Sequence, residues 1–115
     1  MSLRKTANPV FTAPVEVPVP GQEAAEILLR FKYKTRSQID DFLVRSAKAR
    51  SQAEDLDLLM EIVDGWEGAA VVDESGAALS FSRDALAWVI DQYAGATLAI
   101  LKGYRGALLE ARRKN

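Results

Sequence analysis

Two short segments in which apolar and polar residues alternate constrain the fold more than any other feature of the sequence. Their apolar positions are Val15, Val17 and Val19 in the first segment and Leu29, Phe31 and Tyr33 in the second. Successive side chains of a strand point to opposite faces of a sheet, and Pro20-Gly21 between the segments is a turn signal. The segments therefore predict a β-hairpin with one apolar face. Because Pro18 cannot donate a ladder hydrogen bond, the first strand is confined to a sheet edge or ends there.

An isolated two-stranded ribbon is barely stable, so its apolar face must be covered by helices or by the strands of another copy. Two helices are predicted directly after the hairpin. Thr35 to Gln38 matches a capping box at the start of the first helix, which should run to about Arg50, and Ser51 starts the second, which should stop at Gly65. Residues at helical spacing form a stripe along one side of each predicted helix. The stripe consists of Ile39, Phe42, Leu43 and Ser46 in the first helix and of Leu56, Leu59, Met60 and Val63 in the second.

Two further helices follow a segment of small and acidic residues, 68–79, that we expect to be a loop. Ser82 is a favourable N-cap for the third helix, and Gly95 separates it from the fourth. The stripes are Leu86, Val89, Ile90 and Tyr93 in the third helix, and Leu98, Leu101, Arg105 and Leu108, flanked by Ile100 and Tyr104, in the fourth. The predicted fold class is α+β, with an N-terminal β-hairpin followed by about four helices, helix-dominated.

The 115 residues fit one ordinary domain. Residues 1–13 have no clear periodicity and are predicted to form a flexible N-terminal arm, and residues 14–115 a single α+β domain. No segment approaches the roughly 20 apolar residues of a membrane span. Arg4 and Lys5 are followed by a proline-punctuated stretch instead of the apolar core of a signal peptide. We therefore expect a cytoplasmic protein that has no membrane partner.

Histidine and cysteine are both absent from the chain. Their absence removes thiolate nucleophiles, the usual zinc ligands and the side chain that titrates near neutral pH. No phosphate-binding loop or nucleophile motif is present, so we expect no enzyme, no metal site and no cofactor. Asp57, Glu61 and Asp64 share a helix face and offer magnesium binding as an alternative, although a solvated face is the favoured interpretation.

Charges are segregated along the sequence. The segment from Ser51 to Ser82 contains eight acidic residues and no lysine or arginine, whereas the second predicted strand has a cationic face of Arg30, Lys32 and Lys34. The cationic face of one copy could meet the acidic segment of a neighbour, but a solvated surface is the interpretation we favour. No stripe of basic residues interleaved with aromatics is present, which argues against nucleic-acid binding.

Two tryptophans are candidates for contact with a protein partner. Trp66 lies between Gly65 and Gly68, where it either anchors a partner or closes the helix end as a core residue, which is the interpretation we favour. Trp88 lies one position beside the stripe of the third helix. It is predicted either to be half exposed at an interface or to pack in the core.

Several segments together resemble the tail assembly chaperones of lambda-like long-tailed phages, and the resemblance covers roughly Leu28 to Asn115. The segments are Phe31-Lys32-Tyr33-Lys34-Thr35-Arg36-Ser37 with Ile39-Asp40-Asp41-Phe42-Leu43, then Val63-Asp64-Gly65-Trp66-Glu67-Gly68, Phe81-Ser82-Arg83-Asp84-Ala85-Leu86 and Glu110-Ala111-Arg112-Arg113-Lys114-Asn115. Their order and spacing carry the resemblance. The sequence departs from the family pattern at Ala94-Gly95, where a Tyr-Pro pair is frequent, and in the length of segment 69–80.

The resemblance implies a non-catalytic protein that binds the tape measure protein and keeps it soluble during tail morphogenesis. It also implies that the protein associates with itself as a homo-oligomer and is absent from the mature virion. The candidate partner-binding residues are Trp66, Trp88, Phe31 and Tyr33. Codons for Lys114-Asn115 can form a slippery heptamer, so a frameshift-extended form is a further expected partner, although an ordinary stop is equally compatible with the sequence.

Two other classes of protein stay open on the sequence alone. The first is a bacterial helix-rich adaptor or inhibitor protein that binds a single host partner, and stable association with one host protein would support it. The second is a small enzyme that works through carboxylates. Specific binding of magnesium by Asp57, Glu61 and Asp64 would support that class.

Overall fold

The structure, a computed structural model, describes residues 2–3, 5 and 9–109. A three-stranded antiparallel sheet in the order β1-β2-β3 packs against four helices. The elements are β1 Val10–Val17, β2 Ala25–Lys32, α1 Arg36–Lys48, α2 Gln52–Ile62, β3 Val63–Trp66, α3 Arg83–Gln92 and α4 Ala96–Leu109. The predicted α+β class, with an N-terminal hairpin and four helices, is confirmed. Within the described ranges, no helix combines the length and the apolar character that crossing a membrane requires.

The hairpin of β1 and β2 forms as predicted. Its turn is closed by a hydrogen bond of 3.0 Å from the Gln22 amide to the Val19 carbonyl. Gly21 in this turn has a φ of 76°, a left-handed conformation that glycine adopts without steric cost. β1 ends directly before Pro18 and lies at the edge of the sheet, which confirms the limit that this proline sets.

β1 begins at Val10, so the prediction of a flexible arm is wrong for residues 10–13. Pro14 concealed the longer strand in the sequence, because proline is rare inside strands. The Tyr33 amide donates to the Pro9 carbonyl at 2.9 Å, and bonded and non-bonded pairs alternate along the ladder, so Pro14 falls at a non-bonded position. Its missing amide hydrogen therefore leaves no ladder bond unmade. Of the predicted arm, residues 1, 4 and 6–8 lie outside the described residues.

α2 ends at Ile62 and the chain continues directly as β3, so the prediction that the second helix stops at Gly65 is wrong. Val63, which we placed in the helical stripe, is a buried strand residue paired with Phe31. Gly65 lies against the guanidinium group of Arg30, and an added Cβ would collide with it. Gly65 leaves free the space that this guanidinium group occupies, and the pairing of β3 with β2 overrides the local helical pattern.

Side chains cap the helices at the residues where the sequence predicted that they begin. Thr35 accepts a hydrogen bond from the Gln38 amide at 3.4 Å, and the Gln38 side chain accepts one from the Thr35 amide at 2.9 Å, which completes the capping box of α1. The hydroxyl oxygens of Ser51 and Ser82 cap α2 and α3 by accepting from amides three residues later.

α4 runs antiparallel along β1. Directly before α4, Gly95 lies against Pro18, which follows the last residue of β1. Near the other end of the helix, Tyr104 stacks on Phe11, with 6.0 Å between the ring centroids. Phe11 is the second residue of β1 and pairs with Phe31 of β2. The far end of α4 is therefore at the end of the sheet opposite to the hairpin turn.

The core face of α4 differs from the predicted stripe. Leu98 is 74% exposed and Arg105 is also exposed, so the prediction is wrong for both. Gly103 explains why α4 turns a different face to the core than predicted, because an added Cβ there would come within 2.9 Å of a Val15 methyl carbon. Only the side of α4 that carries this glycine can approach β1 so closely. The buried residues on that side are Ala96, Ile100 and Tyr104.

Candidate functional site

Trp88, on the outer face of α3, is 45% exposed. A cleft of about 160 Å³ adjoins it at the hairpin-turn end of the sheet. The cleft is lined by Val17, Val19, Ala25, Ile27, Ala70, Val71, Val72, Trp88, Val89 and Tyr93. Because every lining residue is apolar or aromatic, the cleft offers a surface to apolar side chains of another protein.

A second depression, of about 360 Å³, shares two residues with the first. It is lined by Val72, Asp73, Glu74, Leu79 and Trp88. The shared residues, Val72 and Trp88, are both exposed. We call the two depressions together the Trp88 cleft.

The loop between β3 and α3 positions Val72 through a small hairpin of its own. The Leu79 amide donates to the Val71 carbonyl at 2.8 Å, and the Asp73 amide donates to the Ala77 carbonyl at 2.8 Å. The predicted loop over residues 68–79 is confirmed, but its backbone is held by defined hydrogen bonds. These bonds place Val72 at the mouth of the cleft.

The Asp73 side chain stabilises the tip of this loop. Its carboxylate accepts hydrogen bonds from the Ser75 hydroxyl at 2.6 Å, the Ser75 amide at 2.8 Å and the Ala77 amide at 3.1 Å. The bond from the Ser75 hydroxyl, followed by the bonds from the backbone amides, lowers the pKa of Asp73. The carboxylate is therefore negatively charged at neutral pH.

Trp66 anchors the other end of the loop from within the core. Its side chain is only 6% exposed, and its indole Nε1 donates a hydrogen bond of 2.8 Å to the Leu79 carbonyl. Its ring meets Phe81 edge to face, with 5.0 Å between the centroids. The favoured interpretation of Trp66 as a core residue is confirmed.

Four carboxylates lie on the loop and on the helix face next to Trp88. Asp84 and Asp91 lie one helical turn before and one after Trp88, on the same face of α3, and Asp73 and Glu74 line the cleft from the loop. None of the four forms an ion pair with another described residue, and Asp91 accepts a hydrogen bond of 3.1 Å from the Gln52 amide group. The cleft is thus apolar inside, with Asp73 and Glu74 at its rim.

Asp57 and Glu61 of α2 and Asp64 of β3 behave differently, because cations of the same chain contact them. Arg30 contacts Asp64 at 3.3 Å and Glu67 at 3.4 Å, and Lys34 contacts Glu61 at 3.4 Å. The cationic strand face therefore contacts these acidic residues of its own chain, and its contact with the acidic segment of a neighbouring copy stays a prediction. The two surfaces meet within one chain because β3 brings them together.

Glu61 forms the densest of these contacts, where α1, α2 and the end of β2 meet. Arg45 donates to both carboxylate oxygens of Glu61, at 2.5 Å and 2.9 Å. These hydrogen bonds are the largest cause of a lowered pKa of Glu61, and they raise the pKa of Arg45. Since the contacts join three elements of secondary structure, they stabilise the fold.

The three carboxylates of the magnesium alternative do not converge on one point. Each pairs with a different cation: Asp57 with Arg83, Glu61 with Arg45, and Asp64 with Arg30. Over residues 2–3, 5 and 9–109, no group of side chains could hold a metal ion.

The four candidate partner-binding residues divide into two pairs. Phe31 is fully buried and Trp66 nearly so, which leaves neither side chain accessible to a partner in this structure. Tyr33 is 42% exposed and Trp88 is 45% exposed. Tyr33 follows the last residue of β2, whereas Trp88 lies near the hairpin turn, so the structure places them at opposite ends of the sheet.

The sequence reasoning missed the residues that complete the Trp88 cleft. Asp84 and Asp91 were detectable, because their spacing of four and three residues from Trp88 places all three on one helix face. Val72 carried no such signal. Its position depends on the hydrogen bond between Trp66 and Leu79, which no local pattern shows.

Comparison with known proteins identifies a family. The sequence model of a family described as phage tail assembly chaperone matches residues 1–115, the whole chain. The match includes the hairpin, which lies largely outside the segments on which the resemblance rests. No curated protein and no solved structure shows a significant match.

Proposed function

We propose, because this chain belongs to the phage tail assembly chaperone family, that it binds the tape measure protein and keeps that protein soluble during tail morphogenesis. A role as a tail assembly chaperone follows from the family itself. The identity of the client and the surface that binds it are our proposal. The observation that supports it is the exposed, apolar Trp88 cleft.

The chemistry of the cleft suits a helical client. An amphipathic helix presents apolar side chains at every third or fourth residue and binds by laying them into an apolar groove. Trp88 and Val72 supply exposed apolar surface at the mouth of the cleft. Affinity in such complexes is tuned mostly through the rate of dissociation, so a few modest contacts allow the client to be released when tail subunits take over.

Tyr33 is a second contact in this proposal. It lies after β2, an eight-residue strand, and is therefore roughly 25 Å from the hairpin turn at about 3.3 Å per residue. A client helix of about 17 residues covers this distance at 1.5 Å per residue. One helix is thus long enough to reach both Trp88 and Tyr33, while the buried Phe31 and Trp66 support the surface from within.

We propose further that the protein acts without catalysis in the host cytoplasm, forms homo-oligomers and is absent from the mature virion. A frameshift-extended form of the chain is a further proposed partner. The coding DNA across Arg113 to Asn115 tests this last point. A slippery heptamer that opens into a long overlapping frame would support the extended form, and its absence would remove it.

Co-expression with fragments of the tape measure protein tests the client and the surface. We expect Trp88→Ala to lower the fraction of fragment that stays in solution and Tyr33→Ala to lower it less. Val44→Ala is the control, because Val44 is an exposed apolar residue on α1, away from the cleft. If the wild-type chain keeps no fragment soluble, the client is wrong. If the folded Trp88→Ala and Tyr33→Ala proteins work as well as wild type, the surface is wrong.

A further inference from the structure

The face of α3 that carries Trp88 also carries two carboxylates. Asp84 lies four residues before Trp88 and Asp91 lies three residues after it, so each is one helical turn away on the same face. At 1.5 Å per residue, their Cα atoms are about 10 Å apart along the helix. Asp84, Trp88 and Asp91 are all exposed, so the indole ring has an accessible carboxylate before it and another after it.

The only basic residue of α3 does not offset these charges. Arg83 is that residue, and its guanidinium group pairs with Asp57 on α2. Within the described residues, neither Asp84 nor Asp91 forms an ion pair. The amide group of Gln52 donates to Asp91 at 3.1 Å, but it is neutral and leaves the negative charge in place. α3 therefore presents an aromatic ring between two carboxylates that no cation of the described chain contacts.

The loop next to α3 adds charge of the same sign. Asp73 and Glu74 line the part of the Trp88 cleft that contains the indole ring. The hydrogen bonds that Asp73 accepts from Ser75 and Ala77 hold its carboxylate at a defined position. Among the described residues, no lysine or arginine lines either depression. A ligand of the cleft therefore meets apolar walls inside and negative charge beside them.

One class of helix matches both properties of this surface. An amphipathic helix lays its apolar side chains into a groove, and residues one turn before and after an apolar anchor share the face of that anchor. Lysine or arginine at those two positions carries a positive charge on a long, flexible stem. Such a cation is attracted to the carboxylates and to the face of an indole ring. An acidic helix with the same apolar face is repelled.

We propose that the Trp88 cleft selects a basic amphipathic helix. An apolar anchor of this helix contacts Trp88, and lysine or arginine side chains one turn before and one turn after the anchor contact Asp84 and Asp91. The inference rests on the binding of a helical client that we propose above, and it adds the charge pattern of the segment that binds. Within a long helical client, segments with this pattern bind and acidic amphipathic segments do not.

Three synthetic peptides of about 18 residues, long enough to form helices, test the charge pattern. All three share one apolar face built around a central leucine. The flanking peptide has lysine one turn before and one turn after this leucine. The opposite-face peptide has the same composition, with the lysines moved to the other side of the helix. The acidic peptide has glutamate in place of the flanking lysines. Fluorescence anisotropy of each labelled peptide, titrated with the purified full chain, measures its affinity.

A charge-reversed protein tests where the lysines bind. The cleft variant is Asp84→Lys with Asp91→Lys. The matched control is Glu16→Lys with Asp40→Lys, which changes the net charge by the same amount at exposed positions that do not line the cleft. Trp88→Ala tests the apolar contact. Far-ultraviolet circular dichroism confirms that each variant is folded, and the comparison of the three peptides on the wild-type chain requires no variant.

We expect the wild-type chain to bind the flanking peptide at least about tenfold more tightly than the acidic peptide and about fivefold more tightly than the opposite-face peptide. These differences should shrink at high salt, because salt screens the charges. The cleft variant should prefer the acidic peptide, since its charges are reversed. Trp88→Ala should weaken the binding of all three peptides, and the control variant should keep the wild-type order.

Three results would overturn the inference: equal affinity for the three peptides, no binding of any peptide, or a cleft variant that keeps the wild-type order. If the chain keeps tape measure fragments in solution but binds the three peptides equally, the proposed function stands without this charge preference. If the chain prefers the flanking peptide but keeps no tape measure fragment in solution, the inference stands and the proposed client is wrong.

Discussion

The hydroxyl of Tyr104 donates a hydrogen bond of 2.8 Å to the carbonyl of Lys32, which lies 72 residues earlier in the chain. The bond joins α4 to the end of β2 beside a cluster of aromatic rings that includes Phe31 and Phe42. Burial raises the pKa of Tyr104 to about 12, so its hydroxyl keeps the proton that it donates at neutral and mildly alkaline pH.

Replacement of this tyrosine should destabilise the fold without changing its shape. Tyr104→Phe keeps the ring but leaves the Lys32 carbonyl without its partner, and we expect the free energy of unfolding to fall by about 1–2 kcal/mol. Urea denaturation measures the change. Tyr33→Phe is the control, because Tyr33 is exposed, and it should leave the unfolding midpoint unchanged. Equal midpoints for all three proteins would mean that the hydrogen bond adds nothing to stability.

Stability should decrease in acid partly through Glu61. The hydrogen bonds from Arg45 lower the pKa of Glu61 in the folded chain below its ordinary value of 4.5. The unfolded state then binds the proton first, so the stabilisation is present above pH 4.5 and is lost as the pH falls through the lowered pKa. Both side chains are more than a third exposed, so we expect only about 1 kcal/mol from the contact.

The variant Glu61→Gln isolates this contribution. Its unfolding free energy should be lower than that of wild type at neutral pH, and the two curves should converge as the pH falls below 4.5. Asp40→Asn is the matched control, because Asp40 meets Arg36 only in an exposed contact at 3.6 Å. Denaturant titrations at a series of pH values provide the comparison. A constant difference between Glu61→Gln and wild type at every pH would contradict the assignment.

Trp66 should affect the Trp88 cleft although it does not line it. Trp66→Phe removes the hydrogen bond from the indole to the Leu79 carbonyl, and we expect a loss of about 1–2 kcal/mol in stability and faster hydrogen exchange in the loop that carries Val72. Binding at the cleft should weaken as a consequence. Phe81→Leu is a useful comparison, because it changes the ring packing and keeps the hydrogen bond. Unchanged exchange in Trp66→Phe would show that the loop is held in another way.

The parts of the fold that were predictable from sequence are those with local signals. The alternation around Phe31, the Pro20-Gly21 turn and the caps at Thr35 and Ser82 each depend on a few neighbouring residues. β3 was not predictable in this way. Its four residues continue a helical pattern, and they form a strand through their pairing with β2, which no local signal shows.

The candidate site shows the same division. An exposed Trp88 was one of two predicted outcomes, because the residue lies beside the helical stripe and not within it. The segregation of charge was visible, but the sequence did not show which carboxylates are neutralised within the chain. That depends on the pairing of β3 with β2, which brings Asp64 to Arg30 and leaves Asp84 and Asp91 without cations.

The close contact between Gly103 on α4 and Val15 on β1 has a consequence for how the protein is made. β1 leaves the ribosome before α4, with five elements of secondary structure between them, so the side of β1 that α4 covers stays exposed while those elements are made. Contacts between residues so distant in sequence also form slowly. Each new copy is therefore prone to aggregate until α4 has emerged and covered that strand.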